Sequence, residues 1–194
     1  MYRANSAWWY ICDLKSDVPR FENPCHLFVS RKADEDVTAY MRRKDYLTQG
    51  EMEAARMNGH WFFGLIRDGQ VQGFRKCGFH RVFVNDFQET IDLPENVAFF
   101  YESEVDESLR NKGAGKYFMS SSLELVRKAN YRFVICHVPS WNIPSQRIVE
   151  RCGFKKMGFI RFIELAGLKY TTRNLGELIR DSVMATGPVR EEPI

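Results

Sequence analysis

One segment of the sequence, in which an apolar strand leads through a turn into an amphipathic helix, limits the possible folds more than any other. Val97 to Val105 is rich in apolar residues, and Lys112 to Ala129 repeats them at helical spacing. Between them, Arg110 to Gly115 places two glycines at the start of the helix. The first N–H groups of a helix have no internal partner and lie at the positive end of its dipole. The segment therefore predicts an anion site suited to a pyrophosphate.

The residue types in this turn support that prediction without deciding it. Gly113 and Gly115 have no side chains, so a ligand can approach the backbone, and Arg110 and Lys112 add positive charge. Glycines at a helix start also serve capping and packing. Neither the dinucleotide fingerprint G-x-G-x-x-G nor the P-loop pattern occurs here. A second element is needed to choose between a ligand site and a packing feature.

That second element lies about 27 residues beyond Gly115. Asn142 and Ser145 open a short helix there, and the Gly-Phe pair at Gly153 and Phe154 closes it. Together the two elements resemble the GNAT superfamily of N-acetyltransferases, in which an R/Q-x-x-G-x-G/A turn opens the helix that binds the pyrophosphate of coenzyme A. The turn matches this pattern fully. The close resemblance covers Val97 to Gly158, about a third of the chain.

The resemblance implies a mixed α/β fold, the GNAT (acyl-CoA N-acyltransferase) fold, with a mostly antiparallel sheet that is splayed in the middle and helices on both faces. It implies that the pantetheine arm of acetyl-CoA lies between the strands Val97 to Val105 and Arg132 to Val138, where backbone groups polarise the thioester. The cofactor-binding residues that it implies are Ser103, Val105, Arg110, Asn111, Lys112, Gly113, Ala114, Gly115, Lys116, Asn142 and Ser145.

An amine at neutral pH is mostly protonated, so acyl transfer to it needs a general base. Glu102 and Glu104 share one face of their strand because side chains alternate, and we predict that one of them takes the amine proton. The alternative for both is a solvent-facing charge at a sheet edge. His137, near the end of the next strand, is a further candidate, and the alternative for it is a structural role.

One position departs from the family pattern. Many members carry a tyrosine four residues before the Gly-Phe pair, where it protonates the leaving thiolate, but this chain has Val149 there. Water, the leaving ammonium, or another tyrosine such as Tyr101 or Tyr170 could supply the proton instead. The identity of the general acid is therefore left open.

The pattern along the chain predicts one domain over residues 1–194, with a cofactor-binding core at 97–158. An extra N-terminal strand and loop occupy 1–25, with the strand at Ala7 to Asp13, and a helix and tail occupy 173–194. These terminal pieces either cover a sheet edge or build a dimer contact, so a homodimer is left open. Acceptor specificity is expected in two stretches, Asp34 to Gly59 and Gly78 to Asn96, because binding residues concentrate on loops of rigid scaffolds.

Composition limits the classes of partner. The formal net charge of +3 is small and dispersed, which argues against nucleic acid, and no apolar run reaches the roughly 18 residues of a membrane-spanning helix. The first residues have no apolar core of a signal peptide, so we predict a cytoplasmic protein. The five cysteines have no zinc-like spacing and are expected to be free thiols, with no metal bound.

These observations predict an N-acetyltransferase that moves an acetyl group from acetyl-CoA to a primary amine of a small molecule, such as an amino sugar, an amino acid or a polyamine. Two alternatives on the same fold are a longer acyl chain and a protein amine as acceptor. A third is a non-catalytic module that binds acyl-CoA, which the valine at position 149 permits.

Overall fold

The computed structural model describes residues 2–30, 35–165 and 167–185. The sequence also predicts a strand at His26 to Arg31, and its last residue lies outside the described residues. The same is true of Asp34, the first residue of the stretch expected to hold acceptor specificity, and of residues 186–194 of the C-terminal helix and tail. The strands are β1 (Tyr2–Asp13), β2 (Phe28–Ser30), β3 (Trp61–Arg67), β4 (Gln70–Gly78), β5 (Arg81–Val84), β6 (Glu89–Asp92), β7 (Val97–Val105), β8 (Phe133–Pro139), β9 (Lys155–Leu165) and β10 (Leu168–Thr171). The helices are α1 (Glu35–Arg43), α2 (Gln49–Met57), α3 (Ala114–Lys128), α4 (Ile143–Arg151) and α5 (Leu175–Ala185).

Local signals fix several of these boundaries. Thr48 caps α2 through a capping box with Glu51, in which each side chain bonds the other residue's backbone. Asp68 and Gly69 turn β3 into β4 with positive φ angles of 49° and 74°, as a two-residue hairpin requires. The short strand β6 and its hairpin with β5 were not predicted, because four residues carry too little pattern to identify a strand.

Eight strands form one sheet in the order β10-β9-β1-β8-β7-β4-β3-β2, and its pairs are antiparallel except that between β7 and β8. The strand β1 lies between β8 and β9, so the N-terminal segment is an interior strand and does not cover an edge. Helices α3 and α4 pack on one face, while α1, α2, α5 and the β5–β6 hairpin pack on the other. The predicted mixed sheet with helices on both faces is confirmed.

The sheet opens between its two parallel strands. The register of β7 with β8 runs from Val97 and Phe133 to Phe100 and Cys136 and stops there. At the same point the register of β7 with β4 shifts, which leaves Tyr101 as an extra residue, a β-bulge. A bulge bends its strand, so β7 diverges from β8 beyond Phe100 and a gap opens in the middle of the sheet.

A pair of glycine substitutions tests the packing of β4 against β7. A Cβ at Gly73 would lie 2.6 Å from the backbone oxygen of Glu104, whereas a Cβ at Gly50 in α2 would meet nothing within 4 Å. Gly73→Ala is therefore expected to lower the free energy of unfolding by about 1–3 kcal/mol. Gly50→Ala, the control, is expected to raise it by up to about 1 kcal/mol. Urea denaturation measures both, and equal stability of the two variants would contradict the tight approach.

Candidate active site

The turn before α3 has the backbone geometry of an anion cradle. Asn111 and Gly113 have positive φ angles of 62° and 85°, and Gly113 caps the helix. Among the described residues, the amides of Gly113, Ala114 and Gly115 have no acceptor, whereas those of Lys116 and Tyr117 bond the carbonyl of Gly113. Three unsatisfied N–H groups at the positive end of a 15-residue helix attract an anion.

The two glycines of this turn have different roles. At Gly113 a left-handed φ is needed, and a Cβ would have open space apart from the ring of Pro24 at 3.8 Å. At Gly115 a Cβ would lie 3.0 Å from the Cδ1 atom of Ile148, so the missing side chain lets α3 pack against α4. Gly113 therefore borders the cradle, and Gly115 combines a free amide with helix packing.

Basic side chains surround the cradle. Arg110 is about half exposed and forms an ion pair of 2.8 Å with Glu107, whose side chain is also exposed. Lys116 lies over the ring of Phe21, 5.0 Å from its centroid. The loop between β1 and β2 thus borders the cradle, and the hydroxyl of Tyr117 fixes it by donating to the carbonyl of Leu27 at 3.1 Å.

The second sequence element forms the start of α4. The side chain of Asn142 accepts a hydrogen bond of 3.2 Å from the amide of Ser145, so Asn142 is the N-cap of this helix. Val149, at the position of the family's tyrosine, is a core residue with 3% of its surface exposed. Of the alternative tyrosines, Tyr170 is largely exposed on the edge strand β10, whereas Tyr101 lies at the opening of the sheet.

Beyond the opening, the edge of β7 that faces β8 is unpaired. The pairing of β7 with β8 ends at Phe100, so among the described residues Ser103 and Val105 have no β8 neighbour in the sheet register. On its other side this part of β7 remains paired with β4. A gap of this kind can receive an extended ligand whose amide groups bond a strand edge.

Glu104 is held away from the gap. Its Oε1 atom accepts a hydrogen bond of 2.8 Å from Lys44. Burial raises the pKa of the Glu104 carboxyl, but hydrogen bonds from Lys44 and Tyr46 outweigh burial and hold the pKa below its ordinary value. The hydrogen bond between Tyr46 and Glu104 also raises the pKa of Tyr46 to about 12. Glu104 therefore joins β7 to the end of α1.

Glu102 lies beside a cavity of about 360 Å³ on the face that carries α2 and the β5–β6 hairpin. Its Oε2 atom is 2.6 Å from the ammonium of Lys76, which is 4% exposed and also donates to the carbonyl of Tyr46. A buried ammonium without a carboxylate partner is costly, so this pairing holds Lys76 in place and keeps a carboxylate at the cavity.

The cavity spans the opening of the sheet. Its lining residues are Leu47, Glu51, Ala54, Ala55, Asn58, His60, Lys76, Arg81, Val82, Phe83, Val84, Asn85, Asp86, Thr90, Tyr101, Glu102 and His137. Both stretches predicted to hold acceptor specificity, Asp34 to Gly59 and Gly78 to Asn96, contribute to this lining. Its size suits a small molecule.

Tyr101, the bulge residue, forms a polar pair with His60 in this cavity. Its hydroxyl lies 3.3 Å from the Nδ1 atom of His60, whose Nε2 atom lies 3.1 Å from the carbonyl oxygen of Arg81. Burial raises the pKa of Tyr101 and lowers that of His60. Tyr101 is therefore protonated at neutral pH and can donate a proton.

Sequence reasoning missed three polar residues that the structure places at or near the gap. Asp86 bonds His137 in the cavity, Lys76 pairs with Glu102, and Arg75 lies buried below the sheet, between the rings of Phe100 and Phe118 at 4.9 and 4.6 Å. Burial lowers the pKa of Arg75 to about 10. For Arg75 and Lys76 the available signal was two adjacent basic residues in a strand with no other charge.

All five cysteines are free; Cys25 is exposed and the other four are buried. In the described part of the chain, no three His, Cys, Asp or Glu side chains come together as metal ligands. None of the helices over those residues has the length and apolar character needed to cross a membrane.

Comparison with known sequences gives a family and one curated relative. The profile of the Acetyltransferase (GNAT) family matches residues 13–154. The chain is 30% identical over 73 residues to YwnH of Bacillus subtilis (strain 168), which is named as a candidate phosphinothricin acetyltransferase. That match covers 37% of this chain and 45% of YwnH, less than half of the relative's length.

Solved structures share the fold. A Novosphingobium aromaticivorans protein assigned to the GNAT family has a TM-score of 0.57 at 16% identity over 82% of this chain and 63% of its own. A GCN5-related N-acetyltransferase of Sphaerobacter thermophilus has a TM-score of 0.62 at 12% identity over 89% and 54%. The aminoglycoside N-acetyltransferase AAC(6')-Iy, solved with CoA, has a TM-score of 0.50 at 18% identity over 68% and 92%. Since the family profile covers most of the chain and the fold agrees with these structures, the chain belongs to the GNAT family of acetyltransferases.

Proposed function

We propose that this protein transfers an acetyl group from acetyl-CoA to a primary amine of a small molecule. The proposal is carried by three features: the cradle at Gly113 to Gly115, the gap between β7 and β8, and the cavity that Tyr101 and His137 line where the pairing of β7 with β8 ends. A ligand with a pyrophosphate at one end and a reactive group at the other can bind the cradle, fill the gap and present its reactive group to the cavity. Acetyl-CoA has this form, and it supplies an activated acyl group.

The cradle and the gap bind different parts of acetyl-CoA. The amides of Gly113, Ala114 and Gly115 bond the pyrophosphate, with Arg110, Asn111, Lys112 and Lys116 beside them. The unpaired edge at Ser103 and Val105 bonds the extended arm, and Asn142 and Ser145 border it at the start of α4. A Cβ at Gly113 would project beside the cradle, which supports a backbone site for the anion.

The chemistry forms a C–N bond and breaks a C–S bond. The attacking nitrogen loses one proton, and the departing sulfur gains one. Glu102 is proposed as the group that accepts the proton, because it alone of the two predicted carboxylates lines the cavity. Glu104 is proposed to hold β7 in place through Lys44. Tyr101, which lines the cavity at the opening of the sheet, is proposed as the proton donor to sulfur.

A small acceptor is favoured by the size of the cavity and by two relatives whose names contain small-molecule acceptors, phosphinothricin and an aminoglycoside. The free cysteines fit the reducing conditions of the cytoplasm, which we propose as the location. A homodimer stays a proposal; the outer strand β10, where Leu168 and Tyr170 are largely exposed, is the edge at which we place it.

Calorimetric titration tests the proposed function. The purified protein is titrated with acetyl-CoA, with octanoyl-CoA and with free CoA, and thiol release is then followed with a panel of amines. We expect acetyl-CoA to bind more tightly than octanoyl-CoA and thiol to be released with small amines. Affinity that rises with acyl length would favour a longer acyl donor. Binding without turnover of any amine would favour a non-catalytic module.

A further inference from the structure

The opening of the sheet is bordered by β7 on one side, the β7 bank, and by β8 on the other, the β8 bank. Each bank carries a polar aromatic side chain. The register of β7 and β8 ends at Phe100 and Cys136, so Tyr101 and His137 are the first residues beyond it. Both line the cavity of about 360 Å³. A group held in the gap between the two strands therefore reaches the cavity between Tyr101 and His137.

His137 holds a carboxylate of the β5–β6 hairpin. Its Nε2 atom lies 2.8 Å from the Oδ2 atom of Asp86, and because a carboxylate only accepts, the imidazole N–H donates. The imidazole is 5% exposed and stacks on the ring of Trp9 at 5.1 Å with an interplanar angle of 21°. His137 therefore has little freedom, and the carboxylate that it bonds is fixed at the β8 bank.

The hairpin turn is anchored on both sides of that carboxylate. The side chain of Asn5 in β1 donates to the backbone carbonyl of Asp86 at 2.8 Å, and the next residue, Phe87, is 1% exposed in the core. Asp86 itself is about half exposed. The turn is thus built to present one acidic side chain to the cavity.

Like Asp86, the other charged groups that line the cavity have partners. Glu102, on the β7 bank, pairs with Lys76, and Glu51 caps α2 through Thr48. Arg81, which also lines the cavity, lies 3.8 Å from Asp92 across the hairpin. His60 bonds Tyr101 and the carbonyl of Arg81. The cavity therefore has one carboxylate on each bank of the gap, Glu102 on one and Asp86 on the other.

We propose that Asp86 binds a second, non-reacting ammonium group of the acceptor, so that the substrates of this enzyme are small diamines or polyamines. This inference rests on the proposed function. An amine must lose its proton to attack, whereas a nearby carboxylate stabilises the protonated form. Glu102 is already paired with the ammonium of Lys76 at 2.6 Å, so it holds a second ammonium less strongly than Asp86 does. The amine at Asp86 is therefore the one that stays protonated, and the nucleophile is the other amine of the same molecule, near Glu102. His137 acts as a positioning residue for Asp86.

Matched acceptors test this directly. Linear α,ω-diamines of two to six carbons are compared with amino alcohols of the same length, in which a hydroxyl replaces the distal amine. We expect kcat/KM to be at least about tenfold higher for the preferred diamine, in line with one charged hydrogen bond. Asp86→Asn is expected to remove that preference by raising KM much more for the diamine than for the amino alcohol. Asp92→Asn, on the same hairpin and outside the cavity, is the control and should keep the preference.

Two variants of His137 separate positioning from structure. His137→Gln retains an N–H that can reach Asp86 and is expected to keep most of the preference for diamines. His137→Phe retains the stacking on Trp9 but has no donor, and it is expected to lose the preference while circular dichroism and Tm show a folded protein.

The outcomes distinguish the two levels of the proposal. Turnover of amines with equal kcat/KM for diamines and amino alcohols would overturn this inference and leave the acetyltransferase intact. The same holds if the preference survives in folded Asp86→Asn. Absence of turnover with every amine, in a protein that binds acetyl-CoA, would overturn the proposed function and this inference together.

Discussion

Replacing Gly113 by leucine is expected to raise the Kd for acetyl-CoA by about 100-fold, as the loss of two charged hydrogen bonds of about 1.5 kcal/mol each would do. The physical reason is twofold. The φ of 85° disfavours any residue with a Cβ, so the turn that carries the amides of Ala114 and Gly115 shifts, and a leucine adds bulk at a residue of the cradle itself. Calorimetric titration of wild type and variant with acetyl-CoA measures the change.

The control for this variant is Gly69→Leu in the β3–β4 turn. Gly69 has a φ of 74° and, like Gly113, has no close neighbour that a Cβ would strike. Its replacement imposes a similar conformational cost without touching the cradle. We expect Gly69→Leu to lower Tm and to leave acetyl-CoA binding unchanged. If both variants bound acetyl-CoA as the wild type does, the cradle would not be the pyrophosphate site.

Replacing Glu102 by glutamine is expected to lower kcat by about 100-fold near neutral pH, the lower end of what a general base contributes. The loss should shrink at high pH, because the acceptor amine then loses its proton without help. The side chain at this position lines the cavity and lies 2.6 Å from the ammonium of Lys76. The pH profile of kcat for wild type and variant measures the effect.

Glu104→Gln is the matched control on the same strand face. Glu104 bonds Lys44 outside the cavity, so its replacement is expected to lower Tm slightly and to leave the pH profile of kcat unchanged. An equal loss of kcat at all pH values in Glu102→Gln would assign Glu102 to acceptor binding. A larger loss in Glu104→Gln than in Glu102→Gln would reverse the assignment.

A large part of the cradle could be predicted from the sequence because its determinants are local. The positive φ at Gly113, the free amides of the first helical turn and the cap at Asn142 each involve residues within a few positions of one another. The same holds for the capping box at Thr48 and the turn at Gly69. Backbone preferences and short-range hydrogen bonds fix such features whatever surrounds them.

The position of β1 in the strand order could not be predicted from local sequence in the same way. Its continuous apolar run from Ala7 to Cys12 predicts a strand, but a strand with two apolar faces does not by itself identify its neighbours in the sheet. The structure places it between β8 and β9, where Ala7 to Asp13 pair with β8 along their whole length. Only the competition among all strands for neighbours decides such an order.

The partners of the charged residues could not be predicted from the sequence either. The alternation of β7 correctly placed Glu102 and Glu104 on one face, but Lys44 is 60 positions from Glu104, and Asp86 is 51 positions from His137. Which carboxylate reaches the cavity depends on these distant contacts. The cradle, the strand faces and the motifs that resemble the family could thus be predicted from the sequence, because they depend on residues close together along the chain. The order of the strands and the two sides of the cavity could not, since they depend on side chains that only folding brings together.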